Sequence, residues 1–254
     1  MPLFRRRAVL SFAALLAMFF ASRSAAYVLA YEGFDTYAPG SALAGLGDGL
    51  GWGGAWQDDD DGVLSVSSAS DSAGFITGNT LTVTPRGGTT ITRRTLSAPL
   101  RSGTVYFSVL ADNVSDGLRF LSLSLLDAKG AEKVSVGQRA VAREPRWGVH
   151  QGAKVNDSPV STAGEGPTLL VLRIDFDHFG PDQDAVRLYV NPQLGGAEPG
   201  KATVPAKNFG DLGELHAVAL GAGHTNGVLT TTVARFDELY VADSWESLGS
   251  LGAR

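Results

Sequence analysis

Val105-Tyr-Phe-Ser-Val109 and Val186-Arg-Leu-Tyr-Val190 decide the fold class of this 254-residue chain. In both stretches every second residue is apolar, which is the pattern of a β-strand that buries one face. Nine further candidate strands lie between clusters of Gly, Pro, Asn and Asp, such as Arg86-Gly-Gly88 and Asp127-Ala-Lys-Gly130. Because no helical segments separate these strands, the sequence predicts an all-β fold, a two-sheet antiparallel sandwich or jelly roll.

The same alternation and the same turn residues predict eleven strands along the chain. They are Val63–Ser67, Thr80–Thr84, Thr89–Leu96, Thr104–Ala111, Arg119–Leu126, Glu132–Gln138, Trp147–Gln151, Thr168–Phe176, Ala185–Val190, Leu215–Leu220 and Thr230–Val241. On the last strand we expect Phe236, Leu239 and Val241 to lie in the core. The only predicted helix is a short one at Asp243–Leu248, with Asp243 as its N-cap.

Composition narrows the class of protein further. The chain has 44% hydrophobic residues and 32 glycines without the period of three that collagen requires, so it is a folded chain with many turns. It contains no cysteine, which excludes disulfides and thiolate metal sites. Its formal charge of −5 argues against a nucleic-acid partner.

The N-terminus has the layout of a signal peptide. Arg5-Arg-Arg7 is a basic region, Ala8–Ala21 is an apolar run interrupted only by Ser11, and Ser24-Ala-Ala26 provides small residues for cleavage. The apolar run is too short for a comfortable membrane span, and a buried N-terminal helix is the alternative interpretation. We therefore predict a signal peptide at residues 1–26 and one β-sandwich domain at 27–254. We also predict a secreted, periplasmic or cell-surface location, no membrane span in the mature chain, and a bacterial source.

Two ends of the chain carry a recognisable pattern. The first is Tyr31-Glu-Gly-Phe-Asp35, followed by Gly40-Ser-Ala-Leu43 and Gly51-Trp-Gly-Gly-Ala-Trp56, within a Gly-rich segment at 27–62 that we expect to wrap around the domain. The second is Ala234-Arg-Phe-Asp-Glu-Leu-Tyr-Val241, followed by Ser244-Trp245. Together they resemble bacterial exported proteins of the concanavalin A-like, laminin-G-like jelly-roll group. The resemblance implies two stacked antiparallel sheets with the first and last strands adjacent.

The same resemblance implies one structural calcium ion. Sugar-binding modules of the jelly-roll kind often join an N-terminal Glu to an Asp of the last strand through this ion, and the matching positions are Glu32 and Asp237, with Asp35 nearby. The alternative is that these carboxylates accept turn hydrogen bonds. The run Asp58–Asp61 is another possible source of calcium ligands, although four adjacent charges are also typical of a solvated turn.

Tryptophans are the candidates for stacking against a sugar ring. Among Trp52, Trp56, Trp147 and Trp245, we expect Trp147 to be the most exposed, because it stands between Arg146 and Gly148 beside a loop. It is therefore our candidate ligand-binding residue, and packing in the core is the alternative for all four.

Motifs for catalysis are missing from the sequence. There is no paired-carboxylate spacing typical of retaining glycosidases of this fold, no Gly-x-Ser-x-Gly nucleophile elbow and no His-Glu-x-x-His zinc motif. Asp175-Phe-Asp177 places two carboxylates on one face, but solvent exposure or turn capping explains that pair as well. The four histidines are dispersed along the chain.

Three functions fit these observations. The first is an exported, non-catalytic module that binds polysaccharide or glycoconjugate at the cell surface. The second is a hydrolase or lyase acting on polysaccharide, since a lyase could assemble its base and its neutralising Arg or Asn from separate strands. The third is a structural or adhesive envelope protein with no small ligand. The missing motifs favour the first and third functions, because the fold itself hosts many activities.

Export generates the first testable prediction. If residues 1–26 are a signal peptide, the protein recovered from outside the cytoplasm will begin near Tyr27, because cleavage follows the small residues at Ser24–Ala26. Intact mass spectrometry of the exported protein measures this directly. A mature chain that begins at Met1 or Pro2 would refute the prediction.

Overall fold

The computed structural model describes residues 26–58, 63–68, 78–85, 88–114, 120–138, 146–152, 154–161, 166–223 and 233–249. Nearly all regular structure in these ranges is β. The strands are β1 (Val28–Glu32), β2 (Gln57–Asp58), β3 (Val63–Ser68), β4 (Asn79–Thr84), β5 (Thr89–Leu100), β6 (Thr104–Asn113), β7 (Phe120–Leu126), β8 (Glu132–Gln138), β9 (Arg146–Gln151), β10 (Lys154–Ser161), β11 (Thr168–Asp175), β12 (Asp184–Val190), β13 (Val204–Gly210), β14 (Leu215–Gly223) and β15 (Ala234–Ala242). One short helix, α1 (Trp245–Gly249), follows the last strand.

Two antiparallel sheets form a sandwich. The eight-stranded sheet has the order β13-β12-β11-β6-β15-β4-β3, with β1 paired to β15 beside this path. The seven-stranded sheet has the order β10-β9-β8-β7-β14-β5-β2. The predicted two-sheet antiparallel sandwich is therefore confirmed. Among the described residues, no helix has the length and apolar character needed to cross a membrane.

The core lies between the two sheets and is filled by alternate residues of each strand. On β6 the inward residues are Val105, Phe107 and Val109, which are fully or almost fully buried. On β15 the predicted core residues Phe236, Leu239 and Val241 are all completely buried, so that expectation is confirmed.

The first and last strands pair with each other, as the resemblance implies. The edge of β15 pairs with β4 through Ala234–Phe236 and then with β1 through Leu239–Ala242. Between these two halves the register with β6 shifts at 237–240, and Glu238 has a φ of 50°. This β-bulge lets one strand change partners without leaving the sheet.

All eleven predicted strands are present in the described residues, within a few positions at their ends. The four strands missed by the sequence pattern are β1, β2, β10 and β13, each at a sheet edge or beside the main path. The predicted helix cap is wrong, because Ser244 caps α1 by accepting a hydrogen bond from the Ser247 amide at 3.3 Å. Asp243 instead accepts a hydrogen bond from the Tyr27 amide at 2.8 Å.

Candidate functional site

Glu32 lies at the centre of a buried polar cluster. One carboxylate oxygen accepts a hydrogen bond from the Phe34 amide at 2.9 Å, and the other accepts from the Tyr37 hydroxyl at 2.7 Å and the Trp56 indole at 3.2 Å. Arg94 forms an ion pair with the second oxygen. Both members of the pair are about 1% exposed, so the guanidinium neutralises a carboxylate that has no access to water.

Arg94 also fixes the Gly-rich N-terminal segment. Its Nε donates to the Gly54 carbonyl at 2.9 Å, and Nη2 donates to the Asp48 carbonyl. Its guanidinium carbon stands 5.1 Å from the ring centre of Trp52 and 5.6 Å from that of Trp56, which is cation–π distance. The part of this segment between residues 48 and 56 is therefore held against β5 by Arg94.

These contacts decide how well the predicted calcium ligands fit an ion. Glu32 does not fit, because its oxygens already meet four donors, one of them a positive charge. Asp35 is exposed and accepts the Asn79 amide at 2.7 Å. Among the described residues, no three His, Asp or Glu side chains stand together as a metal-binding group. Asp58 is exposed, whereas Asp59–Asp61 lie outside the described residues.

Asp237 lies in a different environment from the other two carboxylates. It is only 2% exposed and accepts one hydrogen bond, from the Glu238 amide at 2.8 Å. Burial raises the pKa of Asp237 to about 8, and the negative charges of Glu238, Asp35 and Glu32 act in the same direction. The structure therefore favours a neutral carboxylic acid at this position around neutral pH.

Trp147 is buried, not exposed. Its side chain is 1% exposed and lies in the core on the inward face of β9, together with Val149. The expectation of an exposed ring is wrong, because alternation along β9 places residues 147 and 149 on the same inward face. A ring in this position is not available to stack against a sugar.

A bulge creates a polar cluster on the outer face of the seven-stranded sheet. Strict alternation along β8 would turn Glu132 to the core with Val134 and Val136, but the register with β7 shifts between Leu125 and Leu126. The extra residue, Lys133, reverses the direction of Glu132. Bulges of this kind can re-aim a side chain beside a functional site.

Two serines hold the Glu132 carboxylate. Ser124 donates to Oε2 at 2.8 Å and Ser135 donates to Oε1 at 3.1 Å, while Ser122 lies 3.3 Å from the Ser124 hydroxyl. We call Ser122, Ser124, Glu132 and Ser135 the Glu132 cluster. The serines are almost fully buried and Glu132 is exposed, so the hydroxyls orient a carboxylate that faces solvent.

The surroundings of the Glu132 cluster include a cation and one partly exposed apolar side chain. Leu126, Ala217 and Ala219 are buried on this side of the sheet, and the partly exposed Ile91 packs against them. Arg93 extends across this face, because a Cβ built on Gly130, in the turn before Glu132, would stand 3.0 Å from its Nη1. The outer face therefore places Glu132, Arg93 and the Ile91 side chain on one side of the sheet.

A second polar cluster covers the outer face of the eight-stranded sheet. Arg173 binds Asp175 at 2.7 Å and Glu198 at 2.6 Å, and Arg187 forms an ion pair with the other oxygen of Asp175. The hydroxyls of Tyr106 and Tyr189 both donate to Glu198. We call these six residues the Arg173 network.

The charges of the Arg173 network satisfy one another. Burial would raise the pKa of Asp175, but hydrogen bonds from Arg173 and Thr104 lower it overall. Burial opposes ionisation of Glu198 as well, yet the bonds from Arg173 and the two tyrosines also lower its pKa. Both carboxyls are therefore ionised at neutral pH, so neither is the protonated carboxylic acid that a glycosidase uses as its general acid.

The other sequence candidates separate in space. Asp175 belongs to the Arg173 network, whereas Asp177 closes a turn by accepting the Asp182 amide at 2.8 Å. His150 lies buried on β9 with Nε2 donating to the Gly137 carbonyl at 3.3 Å, and His216 pairs with Glu214 at 3.1 Å. His178 is exposed, and His224 lies outside the described residues.

Comparison with known proteins identifies the fold only. No protein-family model matches the chain, and no curated protein sequence matches it. Among solved structures, domain 4 of AbnA, an extracellular GH43 arabinanase from Geobacillus stearothermophilus solved with arabinotriose, has a TM-score of 0.50 at 13% identity. The alignment covers 89% of this chain and 98% of that domain.

Two further neighbours have lower TM-scores. Lectin II from Ulex europaeus has a TM-score of 0.45 at 15% identity, over 86% of this chain and 100% of the lectin. An arabinose-bound GH51 α-L-arabinofuranosidase has a TM-score of 0.44 at 13% identity over 87% of this chain, which spans only 27% of that enzyme. Together with the two sheets described above, the match to the arabinanase domain shows that this chain has a two-sheet antiparallel β-sandwich fold.

The buried ion pair generates a stability prediction. Replacing Arg94 by Met leaves the Glu32 carboxylate buried without its cation, and we expect the free energy of unfolding to fall by about 3–5 kcal/mol. The double variant Arg94→Met/Glu32→Gln should recover part of this loss. Urea unfolding measures both. The matched control is Arg101→Met, which removes an exposed pair with Glu214 and should cost less than about 1 kcal/mol. Equal losses from both arginines would contradict the prediction.

Asp237 generates a pH prediction. Its folded pKa of about 8 exceeds the ordinary 3.8, so the stability it contributes at low pH is lost as the pH rises from about 4 to 8. Asp237→Asn, which can still accept the Glu238 amide, should therefore melt at a higher temperature than wild type at pH 8, with little difference at pH 4.

Thermal melts of wild type and Asp237→Asn, with calcium or with a chelator, also test whether Asp237 binds a calcium ion. With the carboxyl neutral, we expect calcium and chelator to leave the wild-type midpoint unchanged. A calcium-dependent rise in wild type that disappears in Asp237→Asn would instead assign an ion to Asp237, with Glu238 and Asp35, whose negative charges act on it, as candidate partners. A rise that survives in the variant would move the ion elsewhere, for example to Asp58–Asp61.

Proposed function

We propose that this chain is an exported, non-catalytic module that binds carbohydrate through the outer face of its seven-stranded sheet. The observation that carries the proposal is the Glu132 cluster. An exposed carboxylate with both oxygens oriented by buried hydroxyls is a preorganised acceptor for a pair of neighbouring sugar hydroxyls.

The rest of this face supports a sugar ligand. Arg93 is partly exposed on the same side of the sheet, and its guanidinium reaches the turn at Gly130 that precedes Glu132. A sugar ring has an apolar C–H face and a rim of hydroxyls that both donate and accept hydrogen bonds. The ring would rest on the partly exposed Ile91 side chain while its hydroxyls reach Glu132 and Arg93.

The protonation states in the Arg173 network argue against a glycosidase site on that face. A glycosidase needs one carboxyl that keeps its proton and a second that is ionised. In the Arg173 network both carboxyls have lowered pKa values, and both tyrosine hydroxyls have raised pKa values because of burial and donation to Glu198. These tyrosines are therefore poor bases for a lyase reaction.

Other features agree with a sugar-related role outside the cytoplasm. The solved domain with a TM-score of 0.50 was determined in complex with arabinotriose, which makes arabinan a rational first probe. The basic and apolar N-terminal run supports export.

The test combines a glycan array with two matched variants of the mature protein. We expect Glu132→Gln to weaken binding of the best glycan by about tenfold, because a neutral amide offers one acceptor where the carboxylate offered two. The control is Glu246→Gln, an exposed glutamate on α1 beyond the other sheet, which should bind as wild type does. Equal binding by both variants would exclude the Glu132 cluster.

A reducing-sugar assay on the same preparation separates binding from hydrolysis. We expect no release of reducing ends from the glycan that binds. Release that survives in Glu132→Gln would show an enzyme with its active site elsewhere. Absence of any glycan binding would favour a structural or adhesive envelope protein.

A further inference from the structure

The loop between β11 and β12 presents an exposed aromatic side chain. Phe179 is 46% exposed, and its ring meets the His178 ring edge-on, with centroids 4.8 Å apart. We call residues 176–183 the tip loop. It belongs to the eight-stranded sheet, and therefore lies on a different sheet from the Glu132 cluster.

Hydrogen bonds hold the tip loop in one conformation. The Phe179 amide donates to the Gln183 carbonyl at 3.1 Å, and the Gln183 amide donates to the Gly180 carbonyl at 3.1 Å. Asp177 and Asp182 both have positive φ, at 56° and 57°, and the Asp182 amide donates to Asp177. The aromatic ring is thus displayed by a rigid turn, which lowers the entropy cost of binding to it.

Buried Asp184 anchors this turn to the body of the domain. Its two carboxylate oxygens accept the Asp177 amide and the Leu212 amide, each at 2.8 Å. The tip loop and the segment before β14 are therefore tied to the same buried side chain. Substitutions of exposed residues at the tip leave this anchor intact.

The tip loop also carries polar side chains. The Gln183 side-chain amide lies beside the backbone of Gly180, the residue after Phe179, since a Cβ built there would stand 3.8 Å from its nitrogen. Asn208 donates to the Gln183 side-chain oxygen at 3.0 Å, which fixes the orientation of that amide. Within the described residues, neither that nitrogen nor the exposed Asp182 carboxylate has a side-chain hydrogen-bond partner.

We propose that the tip loop is a second carbohydrate contact, in which a neutral sugar ring stacks on Phe179 and its hydroxyls bond to Gln183 and Asp182. This inference rests on the proposed carbohydrate function and extends it to a second surface. It makes the module bivalent for a polysaccharide, so that one chain can engage both surfaces or bridge two strands of glycan.

The size and charge of the tip favour this ligand. A single exposed ring is far smaller than the roughly 800 Å² that each partner contributes to a stable protein interface, but it matches one sugar ring. The exposed Asp182 carboxylate and the chain's net charge of −5 disfavour uronate or sulfated glycans, because like charges would repel. The expected class is therefore a neutral polysaccharide.

The experiment is affinity electrophoresis of the mature protein in soluble arabinan, galactan, xylan and β-glucan, with polygalacturonate as the acidic comparison. We expect retardation by at least one neutral polymer and none by polygalacturonate. Phe179→Ala should weaken the dissociation constant about three- to tenfold, the range that stacking on one aromatic ring provides. Phe179→Tyr, which keeps the ring, should bind as wild type does.

Leu50→Ala is the matched control, because Leu50 is an apolar side chain outside the tip loop that is at least as exposed as Phe179. Circular dichroism melts verify that each variant is folded. If wild type is retarded and Phe179→Ala is retarded equally, the tip-loop proposal is overturned while carbohydrate binding stands. If no glycan retards the wild type, both proposals are overturned. Retardation by polygalacturonate alone would refute the neutral-ligand assignment.

Discussion

The ion pair between Glu32 and Arg94 is the interaction on which this structure depends most. Glu32 belongs to β1 of the eight-stranded sheet and Arg94 to β5 of the seven-stranded sheet, so the pair bridges the two layers of the sandwich. Two buried charges carry a desolvation cost that only close pairing and further hydrogen bonds offset. Here the amide of Phe34, the hydroxyl of Tyr37 and the indole of Trp56 complete that set. In the N-terminal motif, Glu32, Trp52 and Trp56 contact the buried guanidinium of Arg94 directly, and Phe34 and Tyr37 contact it through Glu32.

Two β-bulges then determine where the remaining carboxylates point. The bulge on β15 allows one strand to pair with β4 and then with β1, and it leaves Asp237 buried beside Glu238. The bulge between β7 and β8 has the opposite result, since it carries Glu132 out of the core and into solvent. Each bulge adds one residue to one strand. The first lies beside the buried Asp237 at the junction of the chain ends, and the second turns Glu132 outward on the proposed binding face.

The sequence was sufficient for the fold class and for the central strands, because a strand with neighbours on both sides shows regular apolar alternation. It was insufficient at two sheet edges, where β10 and β13 contain Pro159 and Pro205, since proline within a sheet is confined mainly to edge strands and interrupts the apolar alternation. Alternation along β9 could have assigned Trp147 to the core. The direction of the Glu132 side chain could not be predicted, because it depends on a bulge in the register between β7 and β8. Neither strand has a sequence pattern that indicates this bulge.

The two outer faces of the sandwich differ in how their charges are satisfied. In the Arg173 network, each carboxylate already meets guanidinium and hydroxyl groups, and Glu198 holds the segment between β12 and β13 against the sheet. A ligand there would have to replace strong charge-assisted bonds with weaker ones to neutral hydroxyls. At Glu132, the hydrogen bonds within the described residues come from the neutral hydroxyls of Ser124 and Ser135, and the carboxylate is exposed. The proposed sugar ligand therefore has fewer charge-assisted bonds to displace on the seven-stranded face, whereas the Arg173 network ties Glu198 and its segment to the opposite face.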